Sequence, residues 1–388
     1  MRRAKAARGF RGKAAIVGIG LSARWEAPGR SALELLAEAV HVALADAGLE
    51  LGQVDGLLTG TSMHFMPTLS VAEYLGIKPA FIDGTMIGGS SFVEHLIPAT
   101  LALDAGLCEV ALICYGSNQR TTTGKLVSGA EPQPYEAPYE PRNPIVGYAL
   151  AAARHMHQYG TTREQLAEVA VAARGWAGLN PEAFTRDALT IADVLQSRMV
   201  CDPLSVRDCC LVTDGAGAII MVSAARAKDF KTKPAYVLGA AAATTHRQIS
   251  AMPDLTVTAA AQSGPRAMAM AGVKPADIDT LQLYDAFTIN TILFLEDLGF
   301  CPKGEGGRFV AGGAIAPGGG LAVNTNGGGL SCNHPGMYGI FPIIEAVRQL
   351  RGTAADRQVE NATLALVHGN GGQLSSQVTA ILGTQDTL

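Results

Sequence analysis

The pattern of apolar and polar positions repeats once along the chain. Residues Ala43–Gly60 and Ala267–Phe287 each show a helix-like run ending in Ala-Gly, a short polar loop, an aliphatic-Asp pair and a strand-like run. The matches keep one constant spacing without a gap: Ala47-Gly48 with Ala271-Gly272, Val54-Asp55 with Ile278-Asp279, and Leu57 with Leu281. Glycine adopts the left-handed conformation that ends many helices at little cost. The pattern therefore predicts a duplicated helix–strand unit with Gly48 and Gly272 at helix ends.

Apolar strand-like runs flank both copies of this unit. They are Lys13–Gly20, Glu109–Ser117, Pro234–Ala241 and Ala362–Gly372. Strands that alternate with amphipathic helices are typical of layered α/β proteins, with helices on both faces of the sheet. We predict two halves, residues 1–230 and residues 231–388.

The first half carries an insertion at about residues 117–200. Its Pro-rich segment Ser128–Pro144 cannot form a regular helix or a central strand. Two helices should follow, Ile145–Tyr159 and one that begins at the capping box Thr161-x-x-Glu164. An excursion of this size on a compact fold usually forms a lid or a subunit contact.

Composition and charge exclude several classes of protein. Of the 388 residues, 48% are apolar and 16% are charged, so the chain can bury a large core. The net charge of −4 gives no support to nucleic-acid binding. No stretch reaches the roughly 20 apolar residues of a membrane span. Seven cysteines without framework spacing indicate reduced thiols and a cytoplasmic location. We predict no metal site.

Four segments near strand or helix ends are candidates for the functional site. They are the turn Gly88-Gly89-Ser90-Ser91, the segment Leu283–Thr288, the loop Asn324–Ile340 and the segment Leu366–Gln373, interpreted as the end of the final strand. Ligands of open α/β sheets bind beyond the carboxyl ends of strands, where such loops meet. The histidines His334 and His368 lie in two of these segments. We therefore expect the segments to form one pocket.

At these residues the sequence resembles the thiolase superfamily, in its sterol-carrier-protein-type thiolase-like branch. The resemblance covers nearly the whole chain, and its most specific parts are "YDAF" and "NTNGGGLSCNHPGMYG". It implies an α/β thiolase fold, in which two βαβαβ halves form a five-layer α/β/α/β/α sandwich. It also implies a dimer and acyl-CoA thioester substrates, with chemistry at a C–C bond in the acyltransferase class, as in lipid metabolism.

The resemblance also assigns site residues. His334 matches the histidine that activates a nucleophilic cysteine and helps to bind the thioester oxygen. Tyr284 falls where thiolases place an Asn or His, and His368 falls at or next to the second acid/base position. The resemblance places the remaining substrate-binding or oxyanion positions at Asn333, Asp285, Gly88, Gly89 and Gly371.

The nucleophile is the largest departure from the family. Ile87 stands where thiolases have their cysteine, and isoleucine cannot form an acyl-enzyme. Ser90 or Ser91 could replace the thiol, but a serine needs a base in contact. The alternative role of these serines is to cap the following helix.

Three functions remain open from the sequence. The chain could retain acyl transfer with an altered nucleophile. It could cleave a C–C bond without an acyl-enzyme, as the steroid side-chain aldolases that it also resembles do, with Tyr284 moving a proton. It could also be a catalytically silent acyl-CoA-binding subunit.

The expected partners follow from the same resemblance. We expect acyl-CoA as substrate, no covalently bound cofactor and a homodimer. Several members of this branch work with a zinc-ribbon/OB-fold protein, which for this chain would be a separate polypeptide. We expect no nucleic acid and no membrane as partners.

Overall fold

A ten-stranded sheet runs through the computed structural model, which describes residues 9–23, 25–124 and 134–388. The strands are β1 (Ala14–Leu21), β2 (Gly56–Thr59), β3 (Phe81–Asp83), β4 (Ala111–Ser117), β5 (Met199–Cys201), β6 (Leu204–Ser205), β7 (Gly215–Ser223), β8 (Ala235–Thr244), β9 (Thr280–Leu283), β10 (Ala322–Val323), β11 (Leu364–Gly371) and β12 (Ser376–Gly383). Strands β5 and β6 form a separate two-stranded sheet.

The helices cover both faces of this sheet. They are α1 (Ala32–Ala47), α2 (Pro67–Leu75), α3 (Ser91–Glu94), α4 (Leu96–Asp104), α5 (Gln119–Thr123), α6 (Ile145–Tyr159), α7 (Arg163–Gly178), α8 (Ile191–Gln196), α9 (Ala224–Ala227), α10 (Ala260–Ala271), α11 (Thr288–Asp297), α12 (Gly306–Val310) and α13 (Ile340–Arg351).

The strand order confirms the predicted duplication. Strands β3-β2-β4-β7-β1 of the first half have the same order as β10-β9-β11-β12-β8 of the second. In each half the first three strands of this order are parallel to one another. The fourth strand is antiparallel to the third, and the fifth is antiparallel to the fourth. A short antiparallel contact between β1 and β8, with Ala15 opposite Tyr236, joins the two halves into one ladder. The predicted boundary at residues 230 and 231 falls between α9 and β8 and stays a prediction.

The repeated aspartate has the same structural role in both halves. Asp55 accepts hydrogen bonds from the backbone N–H groups of Glu109 (2.9 Å) and Val110 (2.8 Å), directly before β4. Asp279 accepts equivalent bonds from Thr363 (2.8 Å) and Leu364 (2.9 Å) at the start of β11. Each carboxylate therefore joins the beginnings of two neighbouring parallel strands, which explains why the aliphatic-Asp pair recurs.

Helix packing confirms the predicted five layers. Helix α1 packs on β1, β4 and β7, and α10 packs on β8 and β12, as the two outer layers. Helices α4 and α13 contact strands of both halves and form the central layer. Glycine allows the closest of these contacts, because a Cβ at Gly18 or Gly20 would overlap the backbone of α1. Gly48 (φ 69°) and Gly272 (φ 72°) end α1 and α10 in the left-handed conformation, as predicted.

Two local predictions differ from the structure. Helix α7 is capped by Thr162 with Gln165, one residue later than predicted, because Thr161 Oγ1 instead contacts His155 Nδ1 at 2.8 Å. The segment Leu366–Gln373 does not end the final strand, since β12 follows β11 through a tight turn. Part of the Pro-rich segment Ser128–Pro144 lies outside the described residues, and helix α6 after it has the predicted bounds.

Candidate active site

Loops from both halves and from the insertion meet around a cavity of about 370 Å³. The lining includes Gly88, Gly89, Tyr148, Cys210, Tyr284, His334 and Asn370. Gly88 and Gly89 lie between β3 and α3, Tyr284 follows β9, and Asn370 lies near the end of β11. Strand β2 is parallel to β3 and β4, and β9 is parallel to β11. The loops that follow parallel strands leave the sheet at the same edge, so these loops lie on one side of the fold.

The glycines of the turn permit the close approach of the other loops. A side chain at Gly89 would overlap the ring of Tyr284. Gly88 has φ +78°, and a Cβ there would lie 2.7 Å from the backbone nitrogen of Gly372. Gly371 packs in the same way against the carbonyl of Ile87. The predicted turn is therefore a contact point for loops of the second half.

The phenol of Tyr284 is fixed by the histidine loop. Its hydroxyl donates to the carbonyl of Gly336 (2.7 Å) and accepts from the backbone N–H of Tyr338 (3.1 Å). Burial raises the pKa of Tyr284 well above its usual value of 10. Tyr284 is therefore a neutral phenol at neutral pH.

The backbone around His334 is held on both sides. Its N–H donates to Thr213 Oγ1 (3.0 Å), and its carbonyl accepts from Gln119 Nε2 (2.8 Å). The hydroxyl of Tyr115 donates to the carbonyl of Pro335 at 2.7 Å. These contacts come from strands and loops of the first half, so the first half positions the histidine of the second.

The imidazole of His334 is buried, and neither ring nitrogen has a hydrogen-bond partner among the described residues. Burial lowers the pKa of His334 to about 4, so the ring is neutral near pH 7. The ring centroid lies 5.5 Å from that of Tyr284 and 5.6 Å from that of Tyr338. A neutral imidazole offers one N–H donor and one lone pair. Neither group is occupied by another described residue, and His334 lines the cavity.

Asp285 and Asn333 lie outside the cavity lining. Asp285 accepts from the backbone N–H of Gly329 at 2.6 Å and holds the π-helical turn Gly328–Cys332 that precedes His334. Burial raises the pKa of Asp285 to about 7. Asn333 borders a smaller, separate cavity, and its Nδ2 has no partner among the described residues.

His368 also lies away from the cavity lining, although Asn370 on the same strand borders it. Both ring nitrogens of His368 have side-chain partners, Thr379 Oγ1 at 2.9 Å and Gln377 Oε1 at 2.8 Å. Its side chain is completely buried. A histidine with both nitrogens occupied has no free lone pair for a substrate proton.

The serine hydroxyls of the turn bond to the turn itself, and Ser90 Oγ also lies 3.0 Å from Ser376 Oγ of β12. Ser90 Oγ donates to the carbonyl of Ile87 (3.0 Å), and Ser91 Oγ donates to the carbonyl of Gly88 (2.7 Å). Ser91 Oγ also accepts from the backbone N–H of Ile87 at 3.0 Å. The predicted capping of the following helix is therefore wrong, since α3 begins without a side-chain cap. Among the described residues, neither hydroxyl contacts an imidazole or a carboxylate.

Several cavity residues were not predicted from the sequence. Tyr148 comes from α6 of the insertion and donates to the carbonyl of Gly372 at 2.8 Å. Asn370 lies next to the predicted Gly371, so the strand-end argument could have found it. Cys210 also lines the cavity, and burial, Cys209 and Asp285 raise the pKa of its thiol well above 9. Cys210 is therefore a protonated thiol.

One group of potential metal ligands lies beside the turn. Asp83, Glu94 and His95 each place one such atom within 4.8 Å of the others. Burial and the neighbouring Asp83 raise the pKa of Glu94 to about 7. The absence of a metal site stays a prediction.

In the described part of the chain, no helix is both long enough and apolar enough to cross a membrane. The seven cysteines, all described, form no disulfide with one another.

Solved structures with the same architecture are thiolase-fold proteins. The structure of human mitochondrial 3-ketoacyl-CoA thiolase superposes with a TM-score of 0.72 at 16% identity, covering 97% of this chain and 99% of that one. A structure described as an Ltp2–ChsH2(DUF35) aldolase superposes with a TM-score of 0.88 at 35% identity, covering 97% of this chain and 98% of that one. The fold and the cavity therefore define an enzyme of the thiolase class.

Sequence comparison places the chain within this class. The family described as "Thiolase C-terminal domain-like" matches residues 241–384. The 17-hydroxy-3-oxo-4-pregnene-20-carboxyl-CoA lyase of Mycobacterium tuberculosis is 38% identical over 89% of this chain and 93% of its own length. An acetyl-CoA acetyltransferase of Methanothermobacter thermautotrophicus is 34% identical over 92% of this chain and 96% of its own length. The chain belongs to the thiolase superfamily, in its sterol-carrier-protein-type branch, which confirms the predicted family and a thiolase-like enzyme.

Proposed function

We propose that this enzyme is a C–C lyase that cleaves a 3-hydroxyacyl-CoA by a retro-aldol reaction, without an acyl-enzyme. One observation carries the proposal: the cavity combines a neutral imidazole at His334, unbonded among the described residues, with a neutral phenol at Tyr284, while position 87 holds isoleucine. The named activities of a lyase and an aldolase among the similar proteins give further support.

The reaction balances with the groups in the cavity. The 3-hydroxyl loses its proton, the C2–C3 bond breaks, and C3 becomes the carbonyl carbon of the released product. The bond's electron pair enters the thioester as an enolate, which the N–H of His334 would stabilise by donating to its oxygen. The enolate carbon C2 then takes a proton. The net change is the movement of one proton from the 3-hydroxyl to C2. Once it leaves the carbonyl of Gly336, the neutral hydroxyl of Tyr284 can relay this proton, giving its own proton to C2 as it takes that of the 3-hydroxyl.

Acyl transfer needs a nucleophile, and the thiol and serine hydroxyls near the cavity are poorly suited to that role. The thiol of Cys210 has a raised pKa, whereas a nucleophilic cysteine needs a lowered one. The hydroxyls of Ser90 and Ser91 donate to carbonyl groups of the turn, and no imidazole or carboxylate of the described residues bonds to them. Because one relative is named an acetyl-CoA acetyltransferase, acyl transfer is the second candidate function.

The shape of the cavity favours a bulky, apolar acyl group. Its volume of about 370 Å³ lies in the range of small-molecule sites, and its walls include the rings of Tyr148, Tyr284 and Phe287. Two relatives carry steroid-related names. We include a steroid side-chain thioester in the proposed substrate class.

We also propose a homodimer, a DUF35-type partner and a cytoplasmic location. Strand β3 ends the sheet and exposes half of Ile82, and such edges favour pairing with another strand, here that of a second copy.

The proposed DUF35-type partner is supported by the name of the similar Ltp2–ChsH2(DUF35) structure. The proposed cytoplasmic location is supported by the seven free cysteines. Sedimentation of the purified chain, alone and with a DUF35 protein, tests both assemblies.

The test compares two variants on 3-hydroxyacyl-CoA substrates, with products identified by mass spectrometry. Tyr284→Phe removes the hydroxyl that carries the proton, so kcat should fall about 100-fold, in the range of one general acid–base group. Ser90→Ala is the control, and its kcat should stay within about threefold of the wild type. The reverse ranking, or an acylated serine in the intact protein, would establish acyl transfer instead. Tight acyl-CoA binding without turnover, even with the partner, would indicate a silent subunit.

A further inference from the structure

A buried chain of hydrogen bonds connects His368 to the cavity. His368 Nε2 lies 2.8 Å from Gln377 Oε1, and Gln377 Nε2 lies 2.7 Å from Asn370 Oδ1. Asn370 Nδ2 lies 2.8 Å from the hydroxyl oxygen of Tyr148. All four side chains are at least 98% buried, and two of them, Asn370 and Tyr148, line the cavity.

One carbonyl group at the cavity fixes the donor-to-acceptor direction of all these hydrogen bonds. Tyr148 has a single hydroxyl proton, and the carbonyl of Gly372 accepts it at 2.8 Å. Tyr148 must therefore accept from Asn370, which turns the Asn370 amide so that Nδ2 faces the phenol. Asn370 Oδ1 then faces Gln377, which must donate from Nε2 and accept at Oε1.

The same constraint determines the tautomer of His368. Because Gln377 Oε1 can only accept, His368 must carry its proton on Nε2. Its Nδ1 is then an acceptor for the hydroxyl of Thr379 at 2.9 Å. Every donor along the chain therefore points towards the cavity, and His368 is a neutral ring without a lone pair for substrate.

The Asn370 amide has one hydrogen left over. Nδ2 carries two hydrogens, and the Tyr148 hydroxyl is its single acceptor among the described residues. Oδ1 is occupied by Gln377. The polar group that Asn370 can offer to a molecule in the cavity is consequently an N–H donor, in a buried site where such a donor is effective.

We propose that Asn370 is a substrate-binding residue whose side-chain N–H donates to the thioester oxygen, and that His368 and Gln377 are positioning residues that keep this N–H turned into the cavity. This inference rests on the proposed function for the identity of the substrate. It replaces the acid/base role of His368 with a positioning role. The hydrogen-bond chain itself does not depend on the reaction.

The decisive variant is Gln377→Glu, which is nearly isosteric. A carboxylate can only accept, so His368 keeps its partner, but Asn370 must turn its Nδ2 towards the new carboxylate and present Oδ1 to the cavity. Asn370→Asp removes the N–H directly. Both variants should lower kcat/KM about 100-fold, the scale of one oxyanion donor. Both should weaken binding of a non-cleavable 3-deoxyacyl-CoA about tenfold.

The matched control is Gln282→Glu. Gln282 is equally buried, on β9, and its amide donates to the hydroxyls of Thr280 and Thr325, away from the cavity lining. Its kcat/KM per folded molecule should remain that of the wild type, although its Tm falls. Wild-type activity and binding in Gln377→Glu would overturn the positioning role, and the same result in Asn370→Asp would overturn the donor.

Nitrogen-15 NMR of labelled histidines tests the chain without any substrate. We expect the neutral Nε2–H tautomer for His368 from about pH 5.5 to about pH 8. An Nδ1–H tautomer or an imidazolium would contradict the proposed direction. If the wild type cleaves no 3-hydroxyacyl-CoA, the proposed function fails, while the tautomer and the binding measurements still decide this inference.

Discussion

His334 is a buried histidine whose two ring nitrogens have no partner in the part of the chain that the structure describes, and that combination costs stability. The cost is understandable if a ligand supplies the missing partners. The neutral ring also determines which chemistry is available near pH 7, because a neutral imidazole offers one N–H to a thioester oxygen and keeps one lone pair. The sequence predicted this residue from its loop motif, but its unbonded state depends on side chains distant in sequence.

The burial of His334 predicts a pH dependence of stability. The pKa falls from 6.5 when unfolded to about 4 when folded, so between these values the unfolded chain binds a proton that the folded chain does not. Stability is therefore lost as the pH falls from about 6.5 towards 4. Relative to His334→Gln, the wild type should lose roughly 2 kcal/mol of unfolding free energy between about pH 7.5 and about pH 5. Urea unfolding of both proteins measures this, and a difference independent of pH would contradict it.

At the scale of elements, the turn between β3 and α3 brings the two halves together through glycine. Gly89 lies directly against the ring of Tyr284, and the backbone N–H of Gly339, before α13, donates to the carbonyl of Gly89 at 3.2 Å. In this structure the turn serves as a packing surface between the two halves. The sequence predicted the turn from its glycines and serines, but the contacts of those serines depend on neighbouring loops.

A methyl group at this turn should disrupt the cavity. In Gly89→Ala the new Cβ would overlap the Tyr284 ring, so Tyr284 must move away from Gly336 and Tyr338. We expect kcat/KM to fall at least about 100-fold, since small misplacements in a site are that costly. Gly52→Ala is the control, because nothing lies within 4 Å of the new Cβ and the backbone there is not left-handed. Equal activity of the two variants in a steady-state assay would refute this packing role.

At the scale of the whole molecule, duplication made the fold predictable and left part of the site unpredictable. The aliphatic-Asp pairs and the helix-ending glycines are local signals with one structural meaning, so the duplicated helix–strand unit could be predicted from them. The contact between Tyr148 and Asn370 joins residues 222 positions apart, and one of them belongs to the insertion. Such a contact depends on how the insertion packs on the core, for which the chain carries no local pattern.

The same reason explains the changed role of His368. Its place in a glycine-rich strand end suggested a free imidazole, but the neighbouring strand β12 supplies Gln377 and Thr379 to both ring nitrogens. Strand pairing sets those partners, and the sequence analysis did not predict β12. In our proposal His368 therefore helps to hold the cavity residue Asn370 in its orientation.

The central claim is cleavage of a C–C bond through a thioester enolate, without a covalent intermediate. The most direct test incubates the purified enzyme, with a DUF35-type partner, with a 3-hydroxyacyl-CoA in D₂O and no free CoA. We predict a carbonyl product and a shortened acyl-CoA with one solvent deuterium at C2, while the protein mass stays unchanged. Cleavage that requires free CoA, or a protein carrying an acyl group, would contradict the account.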